Sequence, residues 1–160
     1  MRTLGIDPGI ATTGFGLVEE NGQKLVFVEH GVIKTSPQQN SKDRLQKIFI
    51  EAKKIIKDFK PQAVAIEKLF FGKNAKTAMA VSQARGIMLL SAAEAGVSVT
   101  EYSPLEVKIA LTGYGRAEKK QIQQMVKILL GLADVPKPDD AADALAIAIC
   151  HHHSYKLKNL

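Results

Sequence analysis

The stretch that most constrains the fold comes first: Thr3-Leu4-Gly5-Ile6, followed by Asp7-Pro8-Gly9. Its small or apolar, uncharged residues read as a short buried strand. Pro8 has no N–H for a ladder and Gly9 lets the chain turn, so the strand ends at Asp7. A carboxylate is thereby held at the tip of a rigid central element, where the backbone turns away. Such an acid can start a turn, as Asp before Pro-Gly often does, or it can hold a metal ion. The stretch alone leaves both open.

Beyond Gly9, Thr12 to Val18 reads as a second strand containing Gly14 and Gly16, glycines that suit close backbone approach. Asn21-Gly22 signals a hairpin turn, and Leu25 to Ile33 reads as a third strand, completing an antiparallel meander. Ser41 is placed to cap a helix running to about Phe59, whose apolar residues recur at helical spacing and whose lysines read as a solvated face. Lys60-Pro61 ends it. Ala63-Val64-Ala65-Ile66 then forms a second apolar strand closing on an acid, Glu67. A strand reached through a crossover helix is expected beside the first and parallel to it, so both acids would emerge from one sheet edge.

A helix is expected from Asn74 to about Ala95, with Ala78, Ser82 and Gly86 forming a small-residue stripe. Packing on the sheet and a subunit contact both fit that stripe. Val97 to Thr100 is a fifth strand, Ser103-Pro104 opens a short helix, and Ala117 to Leu130 forms another. The last helix begins at Asp139 or Asp140. Asp140 and Asp143 share one face of it, among residues that are almost wholly Ala, Leu and Ile. Helix capping accounts for an acid at the start. It does not account for Asp143, one turn inside a helix apolar enough to be buried, where a carboxylate needs a counter-charge.

Four acids thus stand apart: Asp7, Glu67, Asp140 and Asp143. Carboxylate oxygens are the hard ligands Mg²⁺ and Mn²⁺ prefer, and paired ions are a familiar arrangement for phosphodiester hydrolysis. The chain of 160 residues carries a net charge of +6, which suits a polyanionic partner. Its 46% hydrophobic content can fill a core, and no apolar run is long enough to span a membrane. A lone cysteine, Cys150, and a first strand in place of a leader fit a reducing, cytoplasmic setting.

Six segments together carry a resemblance to a known family. They are Gly5-Ile6-Asp7-Pro8-Gly9; Ala65-Ile66-Glu67 followed by Phe70; Lys73-Asn74-Ala75; Gln83-Ala84-Arg85-Gly86; Ala117-Glu118-Lys119; and Asp140 through Ala146. In this order, over nearly the whole chain, they resemble the RuvC family of Holliday junction resolvases, the crossover junction endodeoxyribonucleases. The resemblance implies an α/β, RNase H-like fold: a five-stranded mixed sheet with helices on both sides, in one nuclease domain over residues 1–160. It implies a homodimer that nicks two opposed strands of a four-way DNA junction symmetrically, leaving 5′-phosphate ends, and that works beside RuvA and RuvB in recombination and repair. Two Mg²⁺ per site are implied, with Mn²⁺ a plausible substitute, held by Asp7, Glu67, Asp140 and Asp143.

By the same resemblance Phe70 is the junction-wedging aromatic, and Lys108 and Lys119 lie near the scissile phosphate. Lys73, Lys76, Arg85, Arg116 and Lys120 complete the expected DNA contacts. An aromatic beside lysines can stack on an opened base, although Phe70 and Phe71 are adjacent and either could be the exposed one. Lys119, near a helix start, suits a phosphate. Two features depart from the pattern. Asp139 adds an acid beside Asp140, and either could ligate. His151-His152-His153 invites a metal-site reading, but His151 lies eight residues beyond Asp143, roughly 12 Å along the helix, too far for the same ion. A cation cluster at the helix end is expected instead.

Other readings exist. Gly5-Ile6-Asp7-Pro8-Gly9 with Thr12-Thr13-Gly14 resembles the phosphate loop of the actin-like ATPases and sugar kinases, which need a second half and an adenosine site. A ribonuclease H-type nuclease or a junction binder without catalysis would share the fold, although four acids facing phosphate give a pure binder no advantage.

Overall fold

The computed structural model describes residues 1–68 and 75–158, with side chains excluded at 75–76 and 156–158. Strand β1 (Arg2–Asp7) lies at the centre of a five-stranded sheet ordered β3-β2-β1-β4-β5, with β2 at Thr12–Asn21, β3 at Lys24–Lys34, β4 at Ala63–Glu67 and β5 at Ser98–Tyr102. As the turn signals predict, β1, β2 and β3 form an antiparallel meander, and Gly22 takes the left-handed conformation (φ 62°) that the β2–β3 hairpin needs. The pairs β1–β4 and β4–β5 are parallel.

Because side chains alternate along a strand, β1 feeds two layers. Leu4 and Ile6 face a core shared with Leu17, Ile33, Val64 and Ile66, covered by helix α1 (Ser41–Phe59) and helix α2 (Ala75–Glu94). On the other face lie α3 (Pro104–Thr112), α4 (Lys119–Leu129) and α5 (Asp139–Lys158), over a second core built on Val107, Ile122, Val126 and the buried length of α5.

Helix α5 approaches the sheet unusually closely, and two glycines allow it. A Cβ on Gly5 would lie 2.0 Å from the Ala144 carbonyl oxygen, and one on Gly14 would lie 2.0 Å from that of Asp140. With Ala144 and Ala148 as the helix's own small residues, backbone meets backbone. The start of α5 is thereby set directly over the end of β1.

Three local expectations shift. Asn40, not Ser41, caps α1: its side-chain oxygen accepts the Asp43 N–H at 3.0 Å. Helix α4 begins at Lys119 rather than Ala117, because Ala117 is buried and the Gln121 side chain takes the Glu118 N–H at 2.7 Å. In α2 the sheet is met by Ala84, Met88 and Ala92, while Ser82 and Gly86 are exposed, with open space beside Gly86. Of the small-residue stripe only Ala78 is buried, and Ser82 and Gly86 do not pack this helix on the sheet. Among the described residues, no helix is long and apolar enough to cross a membrane.

Candidate active site

Strand order makes the site. In the parallel β1–β4 pair Ile6 is opposite Ile66, so the next residues, Asp7 and Glu67, leave the same edge side by side. Past Asp7 the turn is closed by Thr13, whose hydroxyl donates to the Gly9 carbonyl at 2.6 Å. From above, the first turns of α5 bring Asp140 and Asp143. Carboxylate oxygens of Asp7, Asp140 and Asp143 all lie within 4.8 Å of one another. Glu67 stands beside them, coupled by charge to Asp7 and Asp143.

The crowding of these acids shows in the pKa values of three of them. Burial, then the charges of Asp143, Glu67 and Asp140, push Asp7 up to about 8. Burial and Asp143 raise Glu67. Asp143 is raised by burial against the opposing pull of Lys119. A half-buried set of hard oxygen donors that repel one another fits a divalent cation, whose charge would answer theirs.

A cleft of about 210 Å³ runs from Glu67 and Asp143 past Lys108 and Lys119 to an apolar floor of Val107, Ile122, Ala146 and Ile147. Lys119, the first residue of α4, reaches Asp139 at 3.2 Å and Asp143 at 3.5 Å. Burial works against its charge, but these two acids raise its pKa overall. Asp139 itself turns away from the cluster: besides Lys119, it accepts from the Gln123 amide at 3.2 Å. Asp140 is therefore the one that joins the acids, and no signal in the sequence foretold the Asp139–Gln123 contact.

The expected DNA contacts divide. Lys108 and Lys119 line the cleft, and Arg116 and Lys120 are exposed on the same side of the sheet. Arg85 is ion-paired to Glu101 of β5, with little of its side chain exposed. Phe70 and Lys73, and the side chain of Lys76, lie outside the described residues.

The histidine triplet is not a solvated cation cluster. His151 shares a hydrogen bond with the Tyr102 hydroxyl at 3.0 Å, and His153 donates to the Ala110 carbonyl at 2.8 Å. His152 is wholly buried, donates to the Val18 carbonyl at 3.3 Å, and is held below the usual histidine range chiefly by burial. Because β5, β2 and α3 supply their partners, the three rings pack and bond inside the fold, each toward a separate group.

A mixed sheet in this order, with acids gathered at one edge and helices on both faces, defines an RNase H-like protein. The family model described as "Crossover junction endodeoxyribonuclease RuvC" matches residues 3–151. A relative of that name from Syntrophomonas wolfei is 50% identical over 159 residues, covering 99% of this chain and 92% of its own. One from Alkaliphilus metalliredigens is 52% identical over 160 residues, covering 100% and 98%. Among solved structures, RuvC of T. thermophilus in complex with Holliday junction substrate superposes with a TM-score of 0.95 at 41% identity, covering 99% of this chain and 96% of that one. The chain belongs to the RuvC family of crossover junction endodeoxyribonucleases.

Proposed function

We propose that this endonuclease resolves Holliday junctions by nicking two opposed strands symmetrically, with Asp7, Glu67, Asp140 and Asp143 holding two Mg²⁺ ions. The observation that carries the reading is the convergence of the acids: Asp7, Asp140 and Asp143, drawn from a strand end and a helix start, come within 4.8 Å beside a lysine-lined cleft. When bound, the ions supply activation of the attacking water and charge stabilisation at the leaving 3′ oxygen. The protein's own groups do the rest. Lys108 and Lys119 attract and orient the scissile phosphate, and the apolar floor of the cleft excludes water from its far side.

The wider substrate is a four-way DNA junction, the molecule bound in the T. thermophilus RuvC structure. Arg116 and Lys120 extend the basic surface, with Lys73, Lys76 and Arg85 completing it, and Phe70 opens the crossover by stacking. Arg85 must exchange Glu101 for a phosphate to take part. Paired nicks need two active sites, hence a homodimer. The outward face of α2, with Met79 and Leu90 exposed beside Ser82 and Gly86, supports such a contact. Residues 1–160 act as a single nuclease domain, since both cores share one sheet. The enzyme works in the cytoplasm with RuvA and RuvB, a setting that suits a buried free thiol at Cys150.

The test is a labelled synthetic junction with a mobile core, beside a linear duplex of the same arms, each with Mg²⁺ or EDTA. Paired, metal-dependent nicks with 5′-phosphate ends in the junction alone are expected. Equal cutting of the duplex would remove the junction selectivity. Binding without cutting under Mg²⁺ and Mn²⁺ would remove catalysis.

A further inference from the structure

Lys119 and Gln123, one turn apart on α4, take the two oxygens of a single carboxylate. Asp139 Oδ2 lies 3.2 Å from the Lys119 ammonium, and Asp139 Oδ1 accepts from Gln123 Nε2 at 3.2 Å. The same ammonium is 3.5 Å from Asp143, inside the acidic cluster. Lys119 is thus shared between an acid of the proposed metal site and an acid outside it, and the outer one is itself fixed by a neutral amide.

We propose that Asp139 is a positioning residue for Lys119: it keeps the ammonium at the rim of the active site when a divalent cation takes Asp143. The proposal rests on the reading of the four acids as metal ligands. Without metal, Lys119 supplies part of the positive charge that the crowded carboxylates need. A cation bound at Asp143 repels the ammonium a few ångströms away. Lacking Asp139, Lys119 would have no other ion-pair partner among the described residues at that moment and would swing into solvent, so cation binding would have to overcome the whole Lys119–Asp143 attraction. With Asp139 held by Gln123, the ammonium moves within a clamp and stays beside the cleft that takes the phosphate. Asp139 is not among the converging carboxylates or the cleft lining, so apart from its through-space charge on Asp143 it acts through Lys119.

Direct titration with Mn²⁺ alone, by calorimetry on the full chain without DNA, tests this. Asp139→Asn should weaken Mn²⁺ binding about threefold, the scale of one exposed ion pair. Most of that loss should vanish when the same change is made beside Lys119→Met, leaving only the through-space effect of one charge. Asp139→Glu should restore affinity. Gln123→Ala changes no charge, and should give a smaller loss of the same sign only while Lys119 is present. Thermal melting of each variant checks that it is folded. An equal loss with and without Lys119, or no loss for Asp139→Asn, overturns the positioning role and leaves the metal site standing. Failure of the unaltered chain to bind Mn²⁺ overturns both.

Discussion

Helix α5 carries ionisable residues in its first turns and again at His151, His152 and His153, and the fold treats the two groups in opposite ways. At the start, Asp140 and Asp143 are driven against Asp7 and Glu67, and burial plus like charge raise Asp7 to about 8. At the far end, His151, His152 and His153 each find a separate hydrogen-bond partner within the fold. One end is left short of positive charge, as the cation site proposed above requires. The other is a structural lock joining α5 to β5, β2 and α3. Buried ionisable groups mark function when the fold leaves their charge unbalanced, and structure when it answers them one by one.

Removing a carboxylate from the charged end should have the largest effect. Asp7→Asn or Asp143→Asn should lower nicking on the order of a thousandfold, from several kcal/mol of lost charge stabilisation. Junction binding, followed by fluorescence anisotropy, should persist or tighten as an anion facing phosphate disappears. Loss of binding together with cleavage would make these acids structural and erase the contrast. Gly5→Ala probes the platform beneath both ends. Its Cβ would meet the Ala144 carbonyl oxygen at 2.0 Å, so the helix must lift, costing about 3 kcal/mol in urea unfolding.

At the other end, His152→Ala should cost roughly 2–3 kcal/mol by leaving a cavity and an unanswered Val18 carbonyl. The folded fraction should nick at the normal rate; a slower rate would tie the histidines to catalysis. The effect of pH separates the two ends by sign. In metal-free protein, between pH 3.8 and about 8, the unfolded chain has released the Asp7 proton that the fold still holds. This group therefore takes stability away as pH rises through that window. His152 has the opposite sign. Its folded pKa lies below 6.5, so stability is lost as pH falls beneath that value and the unfolded chain takes the proton. Asp7→Asn or saturating Mg²⁺ should flatten the first slope in melting curves taken across pH, and His152→Asn only the second.

Much of this was legible in sequence. Apolar runs closing on Asp7 and Glu67, with a helix between them, placed two acids at one edge. Asp143 inside an alanine-rich helix announced an acid that capping could not explain. Less legible were contacts set by where α4 lies against α5. Asp139 and Asp140 are adjacent in the chain, but the helix turns them toward different neighbours, Lys119 and Gln123 for one and Asp7 for the other. The histidine triplet misled for a related reason: exposure at a helix end depends on what covers that end, and here β2, β5 and α3 do.

By itself, the sequence placed the strands and helices to within a few residues and singled out the four acids, because periodicity, Pro, Gly and capping act over a few neighbouring residues. Only the tertiary structure decided which charges share a space. That depended on Gly5 and Gly14 admitting the α5 backbone onto the sheet, a contact between segments more than a hundred residues apart, in which burial and neighbouring charge push up the pKa of Asp7.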